Sequence, residues 1–179
     1  MSAITSGFFR KECFIYVDIK IDNNSFLWLK KGDILIQRSN SIDYVGTCAL
    51  YDGEDNEFIY PDLMMKIKAQ HEIIDVRFLY FTLSHSESRN YFKNNATGTA
   101  GNMPKINQKI VLDFPLKLPS LPEQQEIVRI LDSLFEKDRR ARELYDVIEK
   151  IDLMKKAILA RAFRGELGTN EAGEESAVG

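Results

Sequence analysis

The chain has 179 residues, room for one ordinary domain and an appendage. With 44% hydrophobic and 28% charged residues it has the composition of a globular protein, and apolar runs such as Ile110–Leu112 or Ala157–Ala160 are far too short to span a membrane. A net charge of −3 argues against a general, sequence-blind nucleic-acid binder.

That total hides a gradient. Between Arg77 and Lys117 six basic residues (77, 89, 93, 105, 109 and 117) face two acids, Glu87 and Asp113. A local excess of this kind can build a contact face while the remaining surface repels phosphate. The first apolar pairs are broken by Arg10, Lys11 and Glu12, unlike a secretory signal. Cys13 and Cys48 lie far apart without paired spacing, which fits a reducing cytoplasm and neither a disulfide framework nor a zinc cage. Both are expected on half-buried strands.

In chain order, Phe14–Ile21 alternates in period two and predicts a strand, and Ser25–Leu29 predicts a second. Lys31-Gly32-Asp33 is a turn, followed by a buried strand core at Ile34–Ile36. Tyr44–Leu50 and Phe58–Lys68 continue the pattern on either side of the Gly- and acid-rich loop Tyr51–Glu57. At Asp75 the period changes. Val76, Leu79, Tyr80 and Leu83 share one helical face, with Asp75 as N-cap. A second helical piece covers about Ser86 to Lys93. Asn94–Pro104 has almost nothing to bury and must be a surface loop, where binding residues gather on a rigid scaffold. Ile110–Leu118 is expected to return as a strand.

After Pro119 and Pro122 the character changes. Glu123–Phe163 contains neither Gly nor Pro, and Ile127, Ile130, Leu134, Ala141, Leu144, Ile148, Ile151 and Ile158 recur in heptads, interrupted by Lys137 and Lys155. Such a helix would be about 60 Å long. A domain of about 120 residues, with a radius of gyration near ~14 Å, cannot cover it, so the stripe calls for another helix from another copy or chain. Gly165 should stop the helix, and the acidic tail is expected to be disordered. The fold class is therefore α+β: a sheet-rich domain over 1–121, a long coiled-coil helix over 122–165 and a disordered tail over 166–179.

Catalytic signatures are missing. There is no Gly-x-x-x-x-Gly-Lys-Ser/Thr loop, no Asn/Asp-Pro-Pro-Tyr/Phe methyltransferase motif, and no Asp/Glu-x-Lys after Pro61-Asp62 as a nuclease would need. His71 and His85 are 14 positions apart, without metal-ligand spacing. No enzyme activity, cofactor or metal is expected.

Four segments together resemble the specificity subunits of type I restriction–modification systems. Leu29-Lys-Lys-Gly-Asp-Ile-Leu-Ile-Gln-Arg is similar to the strand before a recognition loop in that family, and Phe78-Leu-Tyr-Phe-Thr-Leu to the helix opening the later part of its recognition domain. Thr97–Asn107 resembles its Gly-rich loop ending in Ile-Asn. Pro115-Leu-Lys-Leu-Pro-Ser-Leu-Pro-Glu-Gln-Gln-Glu-Ile-Val is similar to the entry of its conserved helix, and Lys155–Leu167 to that helix's ending.

The resemblance implies a target-recognition domain that reads double-stranded DNA for partner methyltransferase and restriction (motor/nuclease) subunits. It implies DNA contacts from Arg38, Ser39 and Asn40 after the Ile34–Ile36 strand, and from Thr97, Gly98, Thr99, Asn102 and Lys105 on the Gly-rich loop. Arg89, Lys93, Asn94 and Asn95 would flank them. Arg suits guanine and Asn adenine in the major groove, while Lys and glycine-rich backbone suit phosphates. Full members carry two recognition domains and two helices. This chain has one of each, so it reads as a half-subunit that forms a homodimer or pairs with a second half-subunit. The family's domain also begins several dozen residues before the equivalent of Phe14, so its opening is expected to be missing or replaced by Met1–Arg10. The alternative reading is a structural module dimerised through its coiled coil, with no DNA role.

Overall fold

The computed structural model describes residues 3–98 and 103–167. Its elements are strands β1 (Ile34–Gln37), β2 (Cys48–Leu50) and β3 (Met64–Ile67), then helices α1 (Val76–Ser84), α2 (Ser86–Asn95), α3 (Gln108–Leu112) and α4 (Leu121–Phe163). The chain divides into two compact units, Met1–Arg129 and Ile130–Gly179.

In the first unit the strands form one antiparallel sheet in the order β2-β1-β3, with Leu35 opposite Ala49 on one side and Lys66 on the other. All four residues of central β1 are buried, so its two faces need separate partners. Ile34 and Ile36 join Cys48, Phe78, Leu79, Leu83, Phe92 and Ile106 in the larger core, which α1 and α2 help to build. Leu35 points the other way, into a cluster with Ile4, Leu29, Ala49, Tyr51 and Met64, edged by Phe9, Phe58 and Tyr60. Residues 3–10 thus contribute to a core: Ile4 is fully buried, and the Phe9 ring meets that of Tyr51 edge-on at 4.9 Å.

The Gly-Asp-Ile-Leu segment is now explained by contacts. The Asp33 carboxylate accepts the Lys30 N–H at 2.8 Å and pairs with the Lys66 ammonium at 3.3 Å, both side chains being almost fully buried. Lys66 also donates to the carbonyls of Phe26 and Trp28, at 2.6 and 2.8 Å. One ion pair therefore joins the turn before β1, strand β3 and the 26–28 segment. At the far end of β1, Gly46 adopts φ 74°, and a Cβ there would lie 2.4 Å from that of Phe92. Only glycine lets α2 approach the turn so closely.

The helix caps follow the sequence. Asp75 caps α1, its carboxylate accepting the N–H groups of Arg77 and Phe78 at 2.8 and 3.0 Å. Ser120 precedes α4, and Glu123 reaches back to the Ser120 N–H at 2.9 Å in half of a capping box. Pro122 lies in the first turn, where a missing N–H is harmless. The helix closes after Phe163 with Gly165 N–H on the Ala162 carbonyl and Glu166 N–H on that of Arg161, the paired bonds of a Schellman ending.

Several expected strands differ. Phe14–Ile21 forms no strand and is largely exposed, with Ile15 and Tyr16 almost fully so. Alternation marks a chain able to join a sheet, but a strand also needs a hydrogen-bonding neighbour, and the described residues offer none. Cys13 is accordingly not on a strand, whereas Cys48 is buried in β2. Ser25–Leu29 contributes only a single bridge, Trp28 to Ile59. The Tyr44–Leu50 and Phe58–Lys68 runs shrink to three and four strand residues. In place of the return strand at 110–118 stands α3, started by the Asn107 side chain accepting the Ile110 N–H at 2.9 Å.

Within the second unit, the 130–163 part of α4 carries side-chain pairs along its surface: Glu136 with Arg139 and Arg140, Asp138 with Arg142, and Arg139 with Glu143. Spacings of three and four residues put these partners on adjoining turns. The final residues of the tail, 168–179, lie outside the described residues.

Candidate nucleic-acid interface

β1 does not end freely. Buried Gln37 donates its side-chain amide to the carbonyls of Ser39 and Leu63, at 2.9 and 3.2 Å, and its backbone N–H to that of Thr47. The N–H groups of Arg38 and Ser39 both point to the Leu63 carbonyl. The chain after β1 is thus held against the start of β3, with the Arg38 side chain exposed and resting at 3.4 Å on the Asp62 carbonyl. Asn40 is half-buried, its side-chain oxygen accepting the Ser41 N–H.

The Gly-rich loop closes on this segment. Thr97 and Lys105 exchange both backbone hydrogen bonds, at 2.8 and 2.9 Å, and the Thr97 hydroxyl donates to the Lys105 carbonyl. Lys105 also bridges to Ser39, while Ile106 N–H donates to the Arg38 carbonyl and Asn40 N–H to that of Pro104. The strap of residues 103–106 therefore ties the 38–40 loop to the arm that begins at Thr97. Beneath it, Ile106 is buried in the core as an anchor. Gly98 takes φ 142°, open essentially only to glycine. Thr99 and Asn102 lie outside the described residues.

Helix α2 approaches from the side. Arg89 donates to the carbonyls of Val45 at 2.7 Å and Asp43 at 2.8 Å, and Lys93 lies 3.9 Å from the Asp43 carboxylate. Burial pulls the Arg89 guanidinium below its ordinary value and pushes the neighbouring Cys48 thiol up to about 12, so Cys48 is an inert core thiol. Asn94 is exposed, and the Asn95 amide turns back to the Tyr91 carbonyl.

The expected contact residues thus divide. Arg38, Asn94, Thr97, Gly98 and Lys105 are exposed, and Asn40 and Lys93 are partly so. Ser39 is buried, its hydroxyl without a hydrogen-bond partner among the described residues, and Arg89 is committed to backbone carbonyls. Arg89 thus braces the 43–45 turn with its side chain, and Ser39 joins the strap through its backbone. The sequence reading missed Gln37, Leu63 and the strap's anchor Ile106. A polar Gln at the end of an otherwise apolar strand was the available signal. Among the described residues no group of three His, Cys, Asp or Glu could hold a metal ion, and no helix is long and apolar enough to cross a membrane.

A sheet-mounted pair of loops, joined by one strap and edged with basic side chains, is suited to a groove of duplex DNA. The family model described as "Type I restriction modification DNA specificity domain" matches residues 1–150. The chain belongs to this family. A relative, the type I restriction enzyme StySPI specificity subunit of Salmonella potsdam, is 32% identical over 155 residues, covering 86% of this chain and 33% of its own. The EcoDI specificity subunit of Escherichia coli is 34% identical over 122 residues, covering 68% of this chain and 25% of its own. The fold is similar to a solved chain from work on complex assembly and conformational transition of the type I R-M system, with a TM-score of 0.56, 19% identity, and coverage of 84% of this chain and 37% of that one. The chain spans about a third of the length of such curated specificity subunits.

The apolar seam on α4 is a second candidate surface. Ile127, Ile130, Leu134, Leu144, Ile148, Ile151 and Ile158 are between 39% and 65% exposed, and Ala141 is exposed too. Together they form an exposed apolar stripe along that helix. Of the polar positions within it, Lys155 lies 3.5 Å from Asp152 on its own helix.

Proposed function

We propose that this chain is a DNA-reading component of a type I restriction–modification complex. It recognises one half of a bipartite duplex target in the cytoplasm and directs methyltransferase and restriction subunits to it. It makes and breaks no covalent bond itself. The observation that carries this reading is the strap, in which Lys105 pairs with both Ser39 and Thr97 within a domain of the DNA specificity family. Arg38, Asn40, Asn94, Thr97, Gly98 and Lys105 supply the contacts, with Thr99 and Asn102 completing the loop, Lys93 and Asn95 flanking, and Ser39 and Arg89 as supports.

The exposed apolar seam supports pairing of α4 with a second copy or a second half-subunit. Two identical readers related by a two-fold axis would require a palindromic target whose halves are spaced by helix length.

Two substitutions test the loop assignment in the assembled complex. Lys105→Ala is expected to weaken binding to target and unrelated duplex alike, and to flatten the salt dependence by about one unit of slope, the loss of one phosphate contact. Arg38→Ala is expected to relax preference at one base pair by ~1–3 kcal/mol. Unchanged binding by both variants would show that these loops do not face DNA.

A further inference from the structure

Gln124, in the second turn of α4, is fully buried, unlike most of that helix. Its side chain uses its full hydrogen-bonding capacity save one lone pair. The oxygen accepts the Asp75 N–H at 2.9 Å, while the amide nitrogen donates to the Ile73 carbonyl at 3.1 Å and the Pro119 carbonyl at 2.9 Å. Asp75 is itself the N-cap of α1, and Val128, one turn beyond Gln124, is buried in the larger core. One amide therefore joins the entry to α1, the chain leading into α4 and the first turns of α4. Asp75 N–H and the Ile73 and Pro119 carbonyls all lie outside regular helical bonding and depend on it.

We infer that Gln124 is a positioning residue that locks the first turns of α4 to the recognition domain, so that target spacing is fixed by the fold. An apolar residue of equal size would fill the same space yet satisfy none of the three backbone groups, leaving the junction free to shift. The consequence for spacing rests on the bipartite reading above. The lock itself does not.

The test uses the full chain with Cys13→Ser, spin-labelled at Lys68→Cys and Arg129→Cys, both exposed positions of the first unit, and diluted with unlabelled chain. The label-to-label distance distribution is expected to be narrow with Gln124 and about twofold broader with Gln124→Met, at unchanged helix content by circular dichroism. A broad distribution in the parent chain, or an equally narrow one in Gln124→Met, would overturn the lock. In the assembled complex, affinity is then compared on targets whose halves are one base pair closer or farther apart. Gln124→Met is expected to lose about threefold or more of the spacing discrimination while keeping half-site preference. Undiminished discrimination in the variant would overturn the positioning role. Absence of discrimination in the parent complex would instead remove the bipartite reading, with the lock judged by the spin-label distances alone.

Discussion

Asp33→Ala is expected to lower the unfolding free energy by about 3–5 kcal/mol, because it leaves the buried Lys66 ammonium without its counter-charge. The two carbonyls that Lys66 also contacts, and the Tyr60 ring 5.6 Å away, cannot replace a full negative charge. The backbone N–H of Lys30 loses its acceptor as well. Lys66→Met tests the other side by stranding the carboxylate, with a loss of comparable size expected. Because each single change leaves one uncompensated charge, the double variant should lose less than the sum of the two. Urea unfolding followed by circular dichroism measures all three. Strictly additive losses, or a cost below about 1 kcal/mol for Asp33→Ala, would mean that the pair is solvated like a surface one.

Ile148→Asp is expected to abolish pairing through α4. Ile148 lies mid-seam and is 58% exposed in the single chain, outside the buried core, so the substitution should leave the fold intact. In a two-fold pair it puts two carboxylates into an apolar interface, at roughly 2 kcal/mol each, which raises the dissociation constant about a thousandfold. Sedimentation should therefore show a dimer for the parent chain at tens of micromolar and a monomer for the variant. Lys150→Asp, exposed and off the seam, should leave the dimer intact. A parent chain that sediments as a monomer without partner subunits would leave pairing with a second half-subunit, to be sought by mixing the two. A variant that stays dimeric would place the interface elsewhere.

What could be read from the sequence follows from which interactions are local. Helix α4 and its Gly165 ending were readable because heptads and stops act over a few residues, whereas the Ser120–Glu123 start was not singled out. Asp75 was readable as an N-cap for the same reason. The strands were overextended because alternation records a capacity for pairing, and the partner must come from elsewhere: Phe14–Ile21 has the pattern but no hydrogen-bonded strand partner among the described residues. Ile110–Leu118 was misread because Asn107 starts a helix where the apolar run alone suggests a strand.

The candidate site was half readable. The sequence placed basic and amide side chains on two loops, but not the strap that joins them, since Ser39 and Lys105 meet across 66 positions. Nor could it separate contact from support. Arg38 and Arg89 are alike as residues, and only the carbonyls of Val45 and Asp43 show that Arg89 is already engaged.

The central claim, that these strapped loops read a DNA sequence, is tested most directly by selection from a library of random duplexes. The chain is combined with a type I methyltransferase subunit, the partner proposed above, the selected duplex is recovered, and its affinity is measured against salt. The account predicts enrichment of one defined sequence and a logarithmic salt slope of several units, reduced by about one in Lys105→Ala. An assembled complex that enriches no sequence, with a salt slope near zero, would contradict it and leave a module whose only business is pairing through α4.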